Sequence, residues 1–593
     1  MSERLRDAAV VILVGCVVLL TNLGGTSLWD LDEALWSSTA AEMSRRGDWV
    51  MPWHNGEVST HKPPLMFWVM MIATRICGET EFAFRIGSAA FGVATALAVQ
   101  WLGGLLFCRR VGLLAGVATV TALNIALVAR AATPDVKLTF FTTLALALFA
   151  RHALPARGAP PGRIPTLPVG DAVALYAALG FAVLTKGPLG VALPTAALGL
   201  FAWWHNLAAA GPAVGLTVGG RLARIGREWL AAARCLRPFT GMLVVLAIAG
   251  PWYVLVQQAS GGAFGADFIG FHHVRRFLQP IEGHSGPIYY FLPALLVGTF
   301  PWSMFAIPTA LDAAARLRGL RPGSGAVRLL VAWLVVWIVP FSLAQTKLPN
   351  YILPAYPAAL LLVAAFLAGW LTAPDTASRW WVRVALALFV GIGAVVTAAC
   401  WAAPRIEVGG RGLLEVAKVS PQVGEVLRTA AWGGLIMAGG GLACLALAAR
   451  DRRGALLAVY GGTAAALAVF LFACVVVAAD RHQPAAELVR ILRAHGVTPA
   501  TPLGQCHFTQ PSLVHYAGRR VEPCREADGC REFFRRFPDG VLVVRDCDEA
   551  AARALLPAGT EVIGGCADFP KAGRIVVARR ITATAGVAAE PPR

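Results

Sequence analysis

Between Trp29 and Pro64 the chain sets Asp30, Asp32, Glu33, Glu42, Asp48, His54, Glu57, His61 and Lys62 into a sequence that is 57% hydrophobic and only 15% charged. In a chain that must lie largely in lipid, ionisable groups collect where water, a partner or a substrate compensates them, so this polar island is the first candidate for an active site. Asp32 and Glu33 open an amphipathic run, ALWSSTAAEMSRR. Acidic groups there can stabilise a helix N-terminus, or one of them can face a substrate as general base or as the orienter of an electrophilic centre. Lys62 sits in HKPP. Its compact ammonium suits a phosphate, and its long stem equally suits snorkelling at a membrane interface. Of the 52 basic residues six are Lys, and four of these, Lys62, Lys137, Lys186 and Lys347, lie in or beside an unusual polar motif.

A second polar stretch, FIGFHHVRRFLQPIEGHSGPIYYFLP, supplies His272, His273, Arg275, Arg276, Glu282 and His284. Two Arg beside two His can hold a phosphate or pyrophosphate. The histidines at 61, 272, 273 and 284 can instead build a divalent metal site, or stay solvated at the interface. Shorter motifs carry Asp135 (ARAATPD), Lys186 (TKGP), and Lys347 with Tyr351 (QTKLPNY).

The elements that must position these residues are membrane helices, each needing about 20 apolar residues. Thirteen stretches qualify: 8–27, 83–107, 112–129, 136–153, 171–185, 188–204, 240–257, 288–309, 329–344, 352–371, 382–402, 431–449 and 455–479. The first has basic residues before it but no small-residue cleavage site, and reads as an anchored helix. The net charge of +18 does not point to nucleic acid, because Arg gathers in short segments between apolar runs, the mark of cytoplasmic loops. With the N-terminus cytoplasmic, every Arg cluster falls inside and every unusual polar motif falls outside. The 13-residue run LMFWVMMIATRIC, from Leu65, would invert that order if it spanned, so it reads as a helix on the outer surface. The chain thus divides into a membrane domain, 1–480, with an outer loop at 28–82, and a soluble α/β domain, 481–593, in the periplasm. There AELVRILRAHG and DEAAARALL have helical spacing, and VLVVRDC and RIVVARR read as strands. Five of the twelve Cys lie in this tail without CxxC spacing, which permits at most two disulfides and leaves their pairing open.

Taken in order, WDLDEALWSSTAAEM, GDWVMPWHNG, HKPPLMFW, ARAATPD, LTKGPLG, HHVRRFLQP, GPIYYFLP and TKLPNYILPAYP resemble the bacterial lipid A aminoarabinose transferase family, itself related to the protein O-mannosyltransferases. The resemblance implies a GT-C membrane glycosyltransferase in the inner membrane. It would take a sugar from a polyprenyl phosphate and pass it to a lipid A-like glycolipid or a protein. By that resemblance Asp32, with Glu33 beside it and Asp135 in an outer loop, belongs to the reaction centre, and Lys62, Arg275, Arg276, Lys347 and Tyr351 to the donor-phosphate site. His61 stands where the family commonly has Glu, and His272 where an acidic residue is frequent; His61 and His273 are the candidate ligands should a divalent metal be held. No nucleotide-binding glycine loop is present, in keeping with a lipid-carried donor. The rival class, a transporter or flippase of a lipid-linked sugar, predicts charges through the mid-membrane and repeated halves; the sequence has neither.

Overall fold

The computed structural model describes residues 2–154, 162–212, 214–275, 278–279 and 284–581. Up to Asp480 the chain is helical. Among the described residues eight helices are long and apolar enough to cross a membrane, and a ninth span arises if Phe291–Gly298 and Trp302–Leu317, bent 115° apart, count as one. The bend exposes backbone that lipid could not solvate, and the structure satisfies it internally. Phe300 O accepts from Leu123 N (2.9 Å), and Pro301 O from the Tyr460 hydroxyl (2.7 Å). Small residues let helices approach closely: a Cβ on Gly393 would come within 2.7 Å of Gly434 O, so helices Thr376–Ala402 and Val423–Ala449 touch through backbone. Two contiguous apolar cores fill the bundle, one around Trp333, Trp337 and Phe149, the other around Trp302, Tyr356 and Tyr460.

The polar island folds as helix, hairpin and helix. Helix Asp32–Arg46 carries acids in its first turn and Arg45 and Arg46 in its last, matching the helix dipole, and it ends at Gly47 with φ 67°, whose N–H reaches Met43 O and Ser44 O. The strands Trp53–His54 and Glu57–Val58 pair antiparallel across Asn55-Gly56, both at positive φ, as the tightest hairpin turn requires. Asp48 organises the loop before them, accepting from Val50 N and Met51 N (2.9 Å each) and Trp53 Nε1 (3.1 Å). Burial alone would raise the Asp48 carboxyl, but these three donors and Arg46 hold it below the usual range. LMFWVMMIATRIC is a helix, Leu65–Cys77, that buries Met66, Phe67, Met70 and Met71 against helices Asp32–Arg46 and Glu81–Leu106.

From Pro484 the chain forms a five-stranded mixed sheet with helices between the strands. In spatial order the strands are Val521–Cys524, Leu503–Cys506, Val541–Asp546, Arg574–Arg580 and Thr560–Ala567. The first three run parallel, and the last two close an antiparallel hairpin. Both runs read as strands and both read as helices take those forms. This C-terminal domain is clamped to the polar island. Asp30 accepts from Ser512 N (2.8 Å) and Ser512 Oγ (2.5 Å), Asn55 exchanges two 2.8 Å hydrogen bonds with the Val521 backbone, and Tyr516 Oη accepts from Leu28 N (2.7 Å) while donating to Glu81 (3.0 Å). His515 stacks edge-on to Phe84 at 5.3 Å. Burial pushes His515 down to about 4 and raises Asp30, against the opposing pull of Ser512.

Candidate active site

Asp32 is the first residue of its helix and is exposed. One turn along lies Trp36, and residues four apart on a helix share a face. The Lys62 ammonium sits 5.3 Å above the Trp36 ring, and the His61 ring meets the same indole edge-on at 5.9 Å. Ser59 Oγ bonds His61 Nδ1 at 3.1 Å. The fold therefore brings a carboxylate at a helix N-terminus and the HKPP cation, 30 residues apart in sequence, onto one side of a single helix. Thr60 reaches toward the second polar stretch, its hydroxyl 3.5 Å from Asp267.

Glu33, adjacent to Asp32, has a different environment. Its carboxylate is buried against Arg85, with Nε–Oε1 2.7 Å and Nη2–Oε2 2.8 Å, and also accepts from Trp29 N and Ala132 N at 3.0 Å each. Arg85 spends its remaining donors on Leu23 O, Thr26 O and Ser27 O at 2.7–3.1 Å. The pair fastens the polar island to helix Glu81–Leu106 and to the loop leading to Asp135. Glu33, expected at the reaction centre, thus has both oxygens engaged in a buried ion pair, in contrast to exposed Asp32. Arg85 was not among the candidates; its signal in the sequence was a lone charge within the apolar run FAFRIGSAAF.

A second cluster lies beyond that loop. Asp135 begins helix Asp135–Ala153 and forms an ion pair with Lys186, the last residue of helix Val169–Lys186, so each charge also complements its helix dipole. Lys186 Nζ stands 5.4 Å from the Tyr351 ring centroid, which brings Asp135, Lys186 and Tyr351 together. Lys347 is turned back: its ammonium donates to Ser342 O (2.8 Å) and Ala344 O (2.6 Å), closing the end of helix Ser324–Leu343. Lys137 is buried on Ser88 Oγ (2.8 Å) and Thr133 O (3.0 Å), and serves packing.

The segment Ala266–Arg275 is a π-helix, and Arg275, exposed, donates to Gln279 at 3.2 Å. Arg276 and Glu282 lie outside the described residues, as do the side chains of His272 and His273. Among the described residues no group of three or more His, Cys, Asp or Glu converges as a metal site. His61 is oriented by Ser59 and Trp36.

Known proteins are similar to this chain in sequence and in fold. The family model for dolichyl-phosphate-mannose-protein mannosyltransferase matches residues 61–219. The chain is 28% identical over 448 residues, 73% of each protein, to the undecaprenyl phosphate-alpha-4-amino-4-deoxy-L-arabinose arabinosyl transferase of Pectobacterium carotovorum. It is 30% identical over 369 residues to that of Pectobacterium atrosepticum, covering 62% of this chain and 60% of that one. In structure it is similar to ArnT from Cupriavidus metallidurans bound to undecaprenyl phosphate, with a TM-score of 0.73, 22% identity and 98% of both chains covered. That likeness shows the fold, and the resemblance carried by the motifs is borne out.

Proposed function

We propose that this chain, a relative of the bacterial lipid A aminoarabinose transferases with the same GT-C fold, is a glycosyltransferase that moves a sugar from a polyprenyl phosphate to a lipid A-like glycolipid or another acceptor. The reaction is set at the outer face of the inner membrane, with the N-terminus in the cytoplasm and residues 481–593 in the periplasm. Thirteen spans fit that placement: the helices Glu3–Leu20, Arg109–Val128 (broken near Ala122), Asp135–Ala153 and Leu189–Ala209 join the nine described above. Each falls short of a plain apolar span for a local reason, such as the charges Glu3, Arg4, Arg6 and Asp7 or the polar end His205-Asn206.

The observation that supports the reading is the Lys62 ammonium over Trp36, one helical turn from Asp32. In the proposed reaction the bond between the sugar's anomeric carbon and the phosphate oxygen breaks as the acceptor oxygen attacks from the opposite face. The phosphate diester leaves as a monoester, gaining negative charge. A cation held over that phosphate is worth more at the transition state than in the ground state, and Lys62 takes this role, with Arg275 and Arg276 on the adjoining segment. Asp32 receives the proton of an acceptor hydroxyl, or orients an acceptor phosphate that is already ionised. Asp135, paired with Lys186 beside Tyr351, lines the donor side. Glu33 and Lys347 hold the frame, one through Arg85, the other at a helix end.

The test is turnover in detergent, where no membrane remains to be crossed. Purified chain given a polyprenyl-phosphate sugar and a glycolipid acceptor should release polyprenyl phosphate and glycosylated lipid, and Asp32→Asn, which keeps the size and removes the charge, should abolish release while leaving the melting midpoint unchanged. Failure of the wild-type chain to convert any such pair, together with movement of the lipid-linked sugar across reconstituted vesicles, would establish the transporter instead.

A further inference from the structure

We propose that Cys506 and Cys530 are joined by a disulfide bond that braces the C-terminal domain, with Cys524 beside them as a third thiol. The proposal rests on the periplasmic, oxidising placement of residues 481–593 argued above. Cys506 ends strand Leu503–Cys506, Cys530 lies on helix Glu526–Arg536, and their Sγ atoms are 2.7 Å apart. Non-bonded carbon atoms settle at roughly 3.5–4.0 Å and sulfur is larger than carbon, so the fold holds these two sulfurs well inside ordinary contact, at the approach a covalent bond needs. Both side chains are fully buried, among Phe533, Phe534, Leu542 and Val544. The other tail cysteines are placed differently. Cys524 faces Cys506 in register across the parallel strand pair and is partly buried, Cys547 is exposed, and Cys566 lies on an edge strand two strands beyond Cys506's neighbour.

The chemistry is a two-electron dithiol oxidation by a disulfide-bearing oxidant protein. Attack by one of the two thiolates on the oxidant's disulfide gives a mixed disulfide, and the other then displaces the oxidant's sulfur. Two protons and two electrons leave the pair, and the oxidant's disulfide becomes two thiols. Because both sulfurs are sealed in the folded domain, exchange precedes the docking of helix Glu526–Arg536, and the finished bond is shielded from reduction. The closed loop contains helix Pro511–Ala517, whose Ser512 holds Asp30, so the bond stiffens the seat of the polar island.

Full-length protein, taken from the membranes of a Gram-negative host, is alkylated with iodoacetamide under denaturing, non-reducing conditions, then reduced, labelled with N-ethylmaleimide and mapped by mass spectrometry. The expected result is the second label alone on Cys506 and Cys530, and a linked 506–530 peptide without reduction. The first label on both residues, or a bond from Cys506 to Cys524, overturns the proposal. In parallel, exposed Cys547 is probed in intact spheroplasts with a membrane-impermeant maleimide. Labelled Cys547 with free Cys506 and Cys530 refutes the disulfide and leaves the placement standing; labelling of Cys547 only after lysis, with the thiols free, refutes the placement and the disulfide with it.

Discussion

Replacing Glu33 by Gln removes one negative charge from a buried carboxylate that holds two guanidinium bonds and two backbone N–H groups. The amide keeps the shape but turns one acceptor into a donor facing donors, and it leaves Arg85 charged in a buried site. Breaking such a pair from one side costs about 3–5 kcal/mol, a shift of two to three decades or more in the folding equilibrium. The effect should show as a clear fall in the melting midpoint of detergent-solubilised protein and as protease cleavage in the segment 22–35. A second variant separates structure from chemistry. Glu33→Gln combined with Arg85→Met removes the stranded charge and keeps an amide acceptor for the backbone N–H groups, so the double variant should recover the part of the loss that comes from an unpaired guanidinium, while Leu23 O, Thr26 O and Ser27 O still lack their donor. Donor affinity should follow stability in both variants, since Glu33 is proposed to hold Asp32 in place. A Glu33→Gln protein that melts like wild type yet has no turnover would refute the reasoning and return Glu33 to the reacting groups.

Lys62→Ala should weaken polyprenyl-phosphate binding about ten- to a hundredfold, the loss of one charge-assisted hydrogen bond, and Lys62→Arg should restore it only in part; unchanged affinity in Lys62→Ala would leave the residue as a cation packed on Trp36. Ser512→Ala removes the hydroxyl that holds Asp30 and should lower kcat severalfold with KM little changed, while Ser512→Thr rescues it; equal activity in all three would mean that the clamp does not position Asp32. Acidification should loosen the same interface. His515, held down to about 4 by burial, stays neutral while an unfolded His titrates near 6.5, so between those values the unfolded state binds more protons and stability falls as pH drops, by about 3 kcal/mol when complete. His515→Phe should flatten the loss of protease resistance between pH 6.5 and 4.5, and an unaltered profile would assign the acid sensitivity to other groups.

The sequence by itself determined the composition of the bundle, the clustering of rare charges and the family resemblance. Each of these depends on residue type and order: apolar length sets a span, and a scarce carboxylate or lysine stands out against it. The C-terminal strands and helices were readable for a similar reason, since period-two and helical spacing are local properties. Which acid of the pair Asp32-Glu33 is exposed was not local. It depends on Arg85, 52 residues away, whose five donors converge on one face of the island and bury its neighbour. The same holds for Lys347, whose motif suits a phosphate but whose ammonium is taken by the carbonyls at a helix end, and for Ser512, more than 480 positions from Asp30. The five tail cysteines offered several pairings to the sequence, and only the tertiary fold, by setting a strand end against a helix, brought two of those sulfurs within 2.7 Å. Side-chain partnership in three dimensions, decided by burial and by where each donor finds an acceptor, is what the linear order could not supply.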